Sequence, residues 1–261
     1  MPRPVVPPAP PPGWGIVDPP TPVLRLGRHT FEVADEAVVV GRLAHGSVNR
    51  DDGSYDADPD DLLRSARRSL AEGAAALEVP LPADVAAAAS AVERLVDALN
   101  RPVIVASDDL RCIEAALVAG AAGVIPTARL STVQLVSGGA LGATLLLMAG
   151  AGPEVDRAAV AALAGDAVDA GLATERLLVE VATAGTTPRA PGLPVVVSDP
   201  SGPHALDGSP SGRARRSAAF ALGIAAGGRL VRTTDPRTAR RTAVALAAVR
   251  RGRAAHLGSP A

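Results

Sequence analysis

The chain predicts a single (β/α)8 barrel, and three observations carry that prediction. Short apolar runs of four to seven residues recur along the sequence, too brief for helices and typical of strands buried on both faces. Segments with helical spacing alternate with them, the order that builds a parallel sheet with helical crossovers. Eight such runs are present, which suits a closed barrel rather than an open sheet.

The elements follow in order. Residues 1–22 are Pro-rich, "MPRPVVPPAPPPG" at their start, and read as a disordered or polyproline tail. "VLRLGRHTFEVADE" alternates apolar and polar residues around Gly27 and Arg28, which predicts a β-hairpin over 23–34 closing the N-terminal face of the barrel. Strands one to four are "VVVGRLA" (38–44), "AALEV" (75–79), "PVIVA" (102–106) and "AGVI" (122–125). Strands five to eight are "ATLLLMA" (143–149), "RLLVEV" (176–181), "PVVVS" (194–198) and "GRLVR" (228–232). Helical spacing appears near 59–73, 84–100, 110–120, 131–138, 155–170, 211–226 and 236–251. Between strands six and seven, "ATAGTTPRAPGL" is short and rich in Gly and Pro, so the sixth helix is expected to be missing or rudimentary. The barrel domain is set at 23–253, with 254–261 as a tail.

Composition narrows the function classes. At 261 residues the chain can bury a sizeable core. A net charge of −1 gives no field that would recruit nucleic acid or an anionic membrane. Every basic residue other than histidine is Arg, so lysine chemistry is excluded. The single cysteine, Cys112, rules out a disulfide within the chain and a cysteine-based metal site. "GGALGATLLLMAGAG" falls short of the ~20 residues of a membrane span. The N-terminal stretch lacks the apolar core of a signal peptide, and a cytoplasmic protein is expected.

Chemistry in such a barrel sits where strands end. After strand three come Ser107, Asp108 and Asp109. Ser107 or Asp108 suits a helix N-cap, and acids in a first turn suit the helix dipole; ligand contact by Asp108 is the alternative. The acids at 58 and 60 read as a turn and cap. His45, after strand one, stands at the mouth as a ligand candidate or a surface loop residue, and no second histidine is spaced for zinc. "VNRDDGSY" carries the Asp-Gly of a turn and too few spaced oxygens for a calcium loop. Arg232, with Asp235 and Arg237 at the start of the last helix, forms the best anion site, with a structural Arg–Asp pair as the other reading. "RARR" (213–216) and "RRGR" (250–253) are solvated helix faces.

Four stretches resemble dihydropteroate synthases: the hairpin with "DPDDLLRSARRSLAEGAAALEV", then "CIEAALVAGAAGV", "ATERLLVEV" and "LVRTTDPRTARRTAVAL". The resemblance spans roughly residues 22–251 and rests on scaffold positions. It implies folate synthesis, the joining of an activated pterin to p-aminobenzoate in a barrel mouth with magnesium at the departing pyrophosphate. It also raises the expectation of a homodimer through the late helices, which a rudimentary sixth helix weakens. Methyltransferases that bind methylfolate in a similar barrel depend on strand-end Asp and Asn in the same way.

The functional positions depart from that family. Ala44 stands at the magnesium-binding Asn, so no cofactor is expected, and Ala106 stands at the pterin-binding Asp. Ile125 and Pro126 replace Asn-Asp; Glu180, Val181 and Ala182 replace Asp-Pro-Gly; Pro200, Ser201 and Gly202 replace Ser-Arg-Lys. Glu78 keeps an acid at strand two, with Pro80 at a glycine. Arg232 and Asp235 match the family's arginine and acid, and Thr234 replaces the His between them. Each unpaired donor of a bound pterin would cost about 1–3 kcal/mol. The expected protein is therefore a catalytically inactive relative with a binding or regulatory role. An enzyme of altered specificity using Glu180, Asp199 and Arg232, and a divergent active synthase, are the other readings. The rim of strands one, three and four is apolar, while Glu180, Ser198, Asp199, Arg232 and Asp235 face it. Such a mouth suits a small planar or anionic ligand, with Arg232 carrying the anion affinity.

Overall fold

The computed structural model describes residues 23–33, 36–43, 59–126, 143–148, 157–169, 171–172, 176–181, 195–198 and 209–257. The expected tail 1–22, the helix at 131–138, the weak crossover 182–194, and the residues Ala44, His45, Asp199 and Gly202 lie outside them.

β1 (Val23–Leu26) and β2 (His29–Glu32) pair antiparallel across Gly27, whose φ of +57° is the left-handed conformation the tight turn requires. A Cβ at Gly27 would stand 2.9 Å from that of Ala122, so glycine also permits the turn to seat against the barrel floor. Eight parallel strands then close a barrel: β3 (Val38–Arg42), β4 (Ala76–Pro80), β5 (Val103–Ser107), β6 (Gly123–Pro126), β7 (Thr144–Met148), β8 (Leu177–Val181), β9 (Val195–Ser198) and β10 (Gly228–Thr233). β10 pairs with β3 through Arg232 opposite Val40, which completes the ring. Each strand lies within two residues of the range that apolar runs predict.

Six helices are described: α1 (Pro59–Ala71), α2 (Val85–Leu99), α3 (Leu110–Val118), α4 (Arg157–Asp169), α5 (Pro210–Ala225) and α6 (Pro236–Leu257). Asp84 caps α2 by accepting the Ala87 N–H at 2.8 Å, and Ala88, Val92 and Leu95 bury one face at helical spacing. Ser209 caps α5 in the same way through Gly212, with Pro210 at the first helical position. α6 runs to Leu257, past the expected end at 251 and into the stretch read as a tail.

Alternation along the strands divides the core in three. Leu77, Val79, Val103, Val105 and Val124 face outward against α1 to α3, and Val39, Val197 and Val231 face α5 and α6. Val38, Val40, Ala76, Ile104, Leu146, Leu178, Val196 and Leu230 fill the barrel interior, where Leu24, Leu26 and Val33 of the hairpin join them. Thr144 Oγ1 donates to the Arg25 carbonyl at 2.7 Å, tying the hairpin to the start of β7. The barrel is thus plugged at its N-terminal end, which leaves the C-terminal ends of the strands for any site. No helix among the described residues is long and apolar enough to cross a membrane.

Candidate functional site: a charged layer in the barrel mouth

Inward-facing positions of a parallel barrel stack in layers of four from alternate strands. Alternation and register place Glu78 of β4, Ile125 of β6, Glu180 of β8 and Arg232 of β10 in one such layer toward the mouth. Three of the four are charged and buried: Arg232 and Glu78 are 4% exposed, Glu180 9%.

They neutralise one another. Arg232 donates from Nε to Glu78 Oε2 and from Nη2 to Glu78 Oε1, both at 2.8 Å, a side-on bidentate pair. Its Nη1 donates to Glu180 Oε2 and, at 3.4 Å, to Ser198 Oγ. Ser198 Oγ in turn donates to Glu180 Oε1. Glu78 Oε1 accepts a third bond, from Arg42 Nε at 3.1 Å. Burial works to raise the Glu78 pKa, but the Arg232 charge and hydrogen bonds, followed by those of Arg42, hold it below the ordinary carboxylate value. Burial likewise opposes the Arg232 charge, and Glu78 and Glu180 outweigh it, raising that pKa further. Glu78 and Arg232 thus hold each other in the charged form.

Beneath it the interior is apolar. A cavity of about 10 Å³, room for about one water molecule, is lined mainly by Ile104, Ile125, Leu146, Leu178 and Leu230, with Arg232 at its edge. These walls draw apolar residues from strands on both sides of the mouth, Leu178 of β8 and Leu230 of β10 among them.

The residues expected to form an anion site do not come together. Arg232 turns inward to Glu78 and Glu180. Asp235 caps α6: it accepts the Thr238 N–H at 3.1 Å and the Thr238 hydroxyl at 2.8 Å, with Arg216 Nη2 3.7 Å away. Arg237 reaches outward to Glu72 at 3.8 Å. With Arg232 bonded to two carboxylates, its role as the leading anion ligand is replaced by that of a buried counter-ion. Glu180 and Ser198 do meet at the mouth, as part of this network.

The acids after β5 resolve into a cap. Neither Ser107 nor Asp108 is the N-cap of α3; Asp109 is, accepting the Arg111 N–H at 2.9 Å, while Ser107 Oγ accepts the Asp109 N–H at 3.1 Å. The hydrogen bond from the Arg111 N–H, the largest influence, lowers the Asp109 pKa. Asp108 is exposed. Cys112 is buried, and burial pushes its thiol pKa up, which makes it an unreactive core residue.

Among the described residues no group of three acidic, His or Cys side chains is placed to hold a metal ion, and the carboxylates of Glu78 and Glu180 bind guanidinium. The residue that sequence reasoning passed over is Arg42. Val38 and Val40 fix the inward parity of β3, and a charged residue two positions on must face the same interior.

No family model matches the chain, and no curated protein is detectably similar in sequence. Solved structures with a similar fold include dihydropteroate synthases. That of Burkholderia cenocepacia, complexed with 7,8-dihydropteroate, is 22% identical over 89% of this chain and 98% of its own, at a TM-score of 0.68. That of Xanthomonas albilineans with 4-aminobenzoic acid is 20% identical over 88% and 98%, at 0.70. The Yersinia pestis enzyme with a sulfonamide drug complex is 17% identical over 88% and 99%, at 0.69. The likeness is one of fold.

Proposed function

We propose that this barrel is a folate-related relative of dihydropteroate synthases that binds a small ligand or regulates a partner, and does not make dihydropteroate. The observation that carries the reading is the paired layer, whose inward carboxylates both already accept from guanidinium. An aminopyrimidinone edge needs inward carboxylates and amides whose hydrogen-bonding atoms are open. Glu78 and Glu180 instead accept from Arg232, Ile125 completes the layer with a side chain that can neither donate nor accept, and the space below admits about one water.

Inserting a pterin here would require breaking buried ion pairs, and leaving one charge of such a pair uncompensated costs about 3–5 kcal/mol. That cost is of the order of the binding free energy of a millimolar ligand. The replacements at Ala44, Ala106 and Gly202 act in the same direction, since none can supply the Asn, Asp or Lys that the resemblance puts there.

The test is direct. Purified protein is incubated with pterin pyrophosphate, p-aminobenzoate and magnesium, and dihydropteroate is measured by chromatography. No product is expected. Turnover that Glu180→Ala abolishes would overturn the reading.

A further inference from the structure

Resting on the reading of a ligand-binding barrel, we propose that Arg42 holds an oxyanion, a carboxylate or phosphate on a small ligand, at the barrel mouth. Its two terminal nitrogens form the binding fork, and Glu78 acts as the positioning residue that aims it.

The contrast between the two inward arginines carries this. Arg232 has its side-on fork on Glu78 and its Nη1 on Glu180 and Ser198, and it is buried. Arg42 lies one layer closer to the mouth, at the last residue of β3, with its side chain 23% exposed. It uses Nε alone, on Glu78; among the described residues Nη1 and Nη2 have no hydrogen-bond partner. A guanidinium held at Nε presents its end-on pair of N–H groups in a plane, the arrangement that receives a carboxylate or phosphate through two parallel bonds.

Its orientation is fixed from below. Glu78 is itself held by the bidentate pair from Arg232, so the carboxylate that anchors Arg42 has little freedom to move. Holding the side chain in advance removes part of the rotamer entropy that an exposed arginine loses on binding. The charge balance agrees: one carboxylate of Glu180 and one of Glu78 offset Arg232 and Arg42, so the layer does not repel an incoming anion as two unpaired carboxylates would.

The probes are inorganic phosphate and benzoate, titrated separately into the full chain by calorimetry, with the Arg42 Nε–Hε signal followed by NMR. The two arms separate a phosphate-bearing from a carboxylate-bearing ligand. At least one probe is expected to bind at about millimolar strength and to shift that signal. Arg42→Gln is expected to weaken it by about tenfold or more, and Arg42→Lys, which keeps charge and loses the fork, by less. Binding by neither probe up to about 10 mM, equal binding by Arg42→Gln, or binding that leaves the Arg42 signal unmoved would each overturn the assignment. The last readout stands even where Arg42→Gln fails to fold. Dihydropteroate turnover would overturn the binding-barrel reading whatever the titrations give, whereas absent anion binding with absent turnover removes only the role of Arg42.

Discussion

Replacing Arg232 by methionine tests whether the charged layer holds the barrel together. Methionine fills much of the arginine stem's volume, so little cavity forms and the change isolates the charge. Glu78 would keep one bond, from Arg42, and Glu180 would keep the Ser198 hydroxyl, while both remain buried in one layer. Removing one partner of a buried ion pair costs about 3–5 kcal/mol. Out of a total stability of about 5–15 kcal/mol, that loss approaches half, and for a chain of this size it lowers the melting temperature by about 6–20 °C. Acid dependence identifies the cause. In the unaltered protein the folded Glu78 pKa lies below the ordinary value of 4.5, so its contribution is present above that value and disappears as pH falls through the folded one. In Arg232→Met the main partner that lowered it is gone, Glu78 resists ionisation, and its penalty fades as pH falls and it takes up a proton. Urea unfolding at a series of pH values should give the largest difference near pH 7, shrinking toward about pH 5. A difference below about 1 kcal/mol at pH 7, or one that does not change with pH, would refute the argument.

Further substitutions test the scaffold. In Gly123→Ala the new methyl would stand 2.7 Å from the Thr144 carbonyl oxygen, and a neighbouring strand's backbone yields little; calorimetric unfolding should show a loss of about 1–3 kcal/mol. Gly165→Ala, on an α4 position with nothing within 4 Å, should instead gain about 0.5–1 kcal/mol. Asp109→Ala removes the α3 cap and should lower the melting temperature and increase amide exchange in the first turn of α3, whereas Asp108→Ala should leave both unchanged.

The barrel was legible because its signals are dense and mutually consistent. Eight apolar runs, seven of them followed by helical spacing, leave few topologies open, and β-strand parity then assigns inner and outer faces without further information. The hairpin turn was legible from Gly27 for the same reason, since a left-handed residue must stand at the turn. Boundaries were less so. The α3 cap fell one residue past Asp108 and two past Ser107 because three consecutive hydroxyl and acid side chains can all cap, and only backbone dihedrals choose among them. α6 extends to Leu257 because "RRGRAAHL" is rich in Arg and Ala, good helix formers that a single glycine does not interrupt.

The site was harder, and the reason is physical. A strand-end arginine looks alike in sequence whether it meets a ligand or a buried partner. What separates the two is the charge count of the layer it joins. Glu78 and Glu180 sit at inward parity within apolar runs, "ALEV" and "LLVEV", and buried carboxylates require cations. Two such acids facing one interior demand an arginine between them, and Arg232 is the inward arginine at their level. Once Arg232 is assigned to that duty, Arg42 is, among the described residues, the inward cation with donors left to offer. Counting charge layer by layer, rather than strand end by strand end, would have moved the ligand-facing role from Arg232 to Arg42 on sequence parity alone.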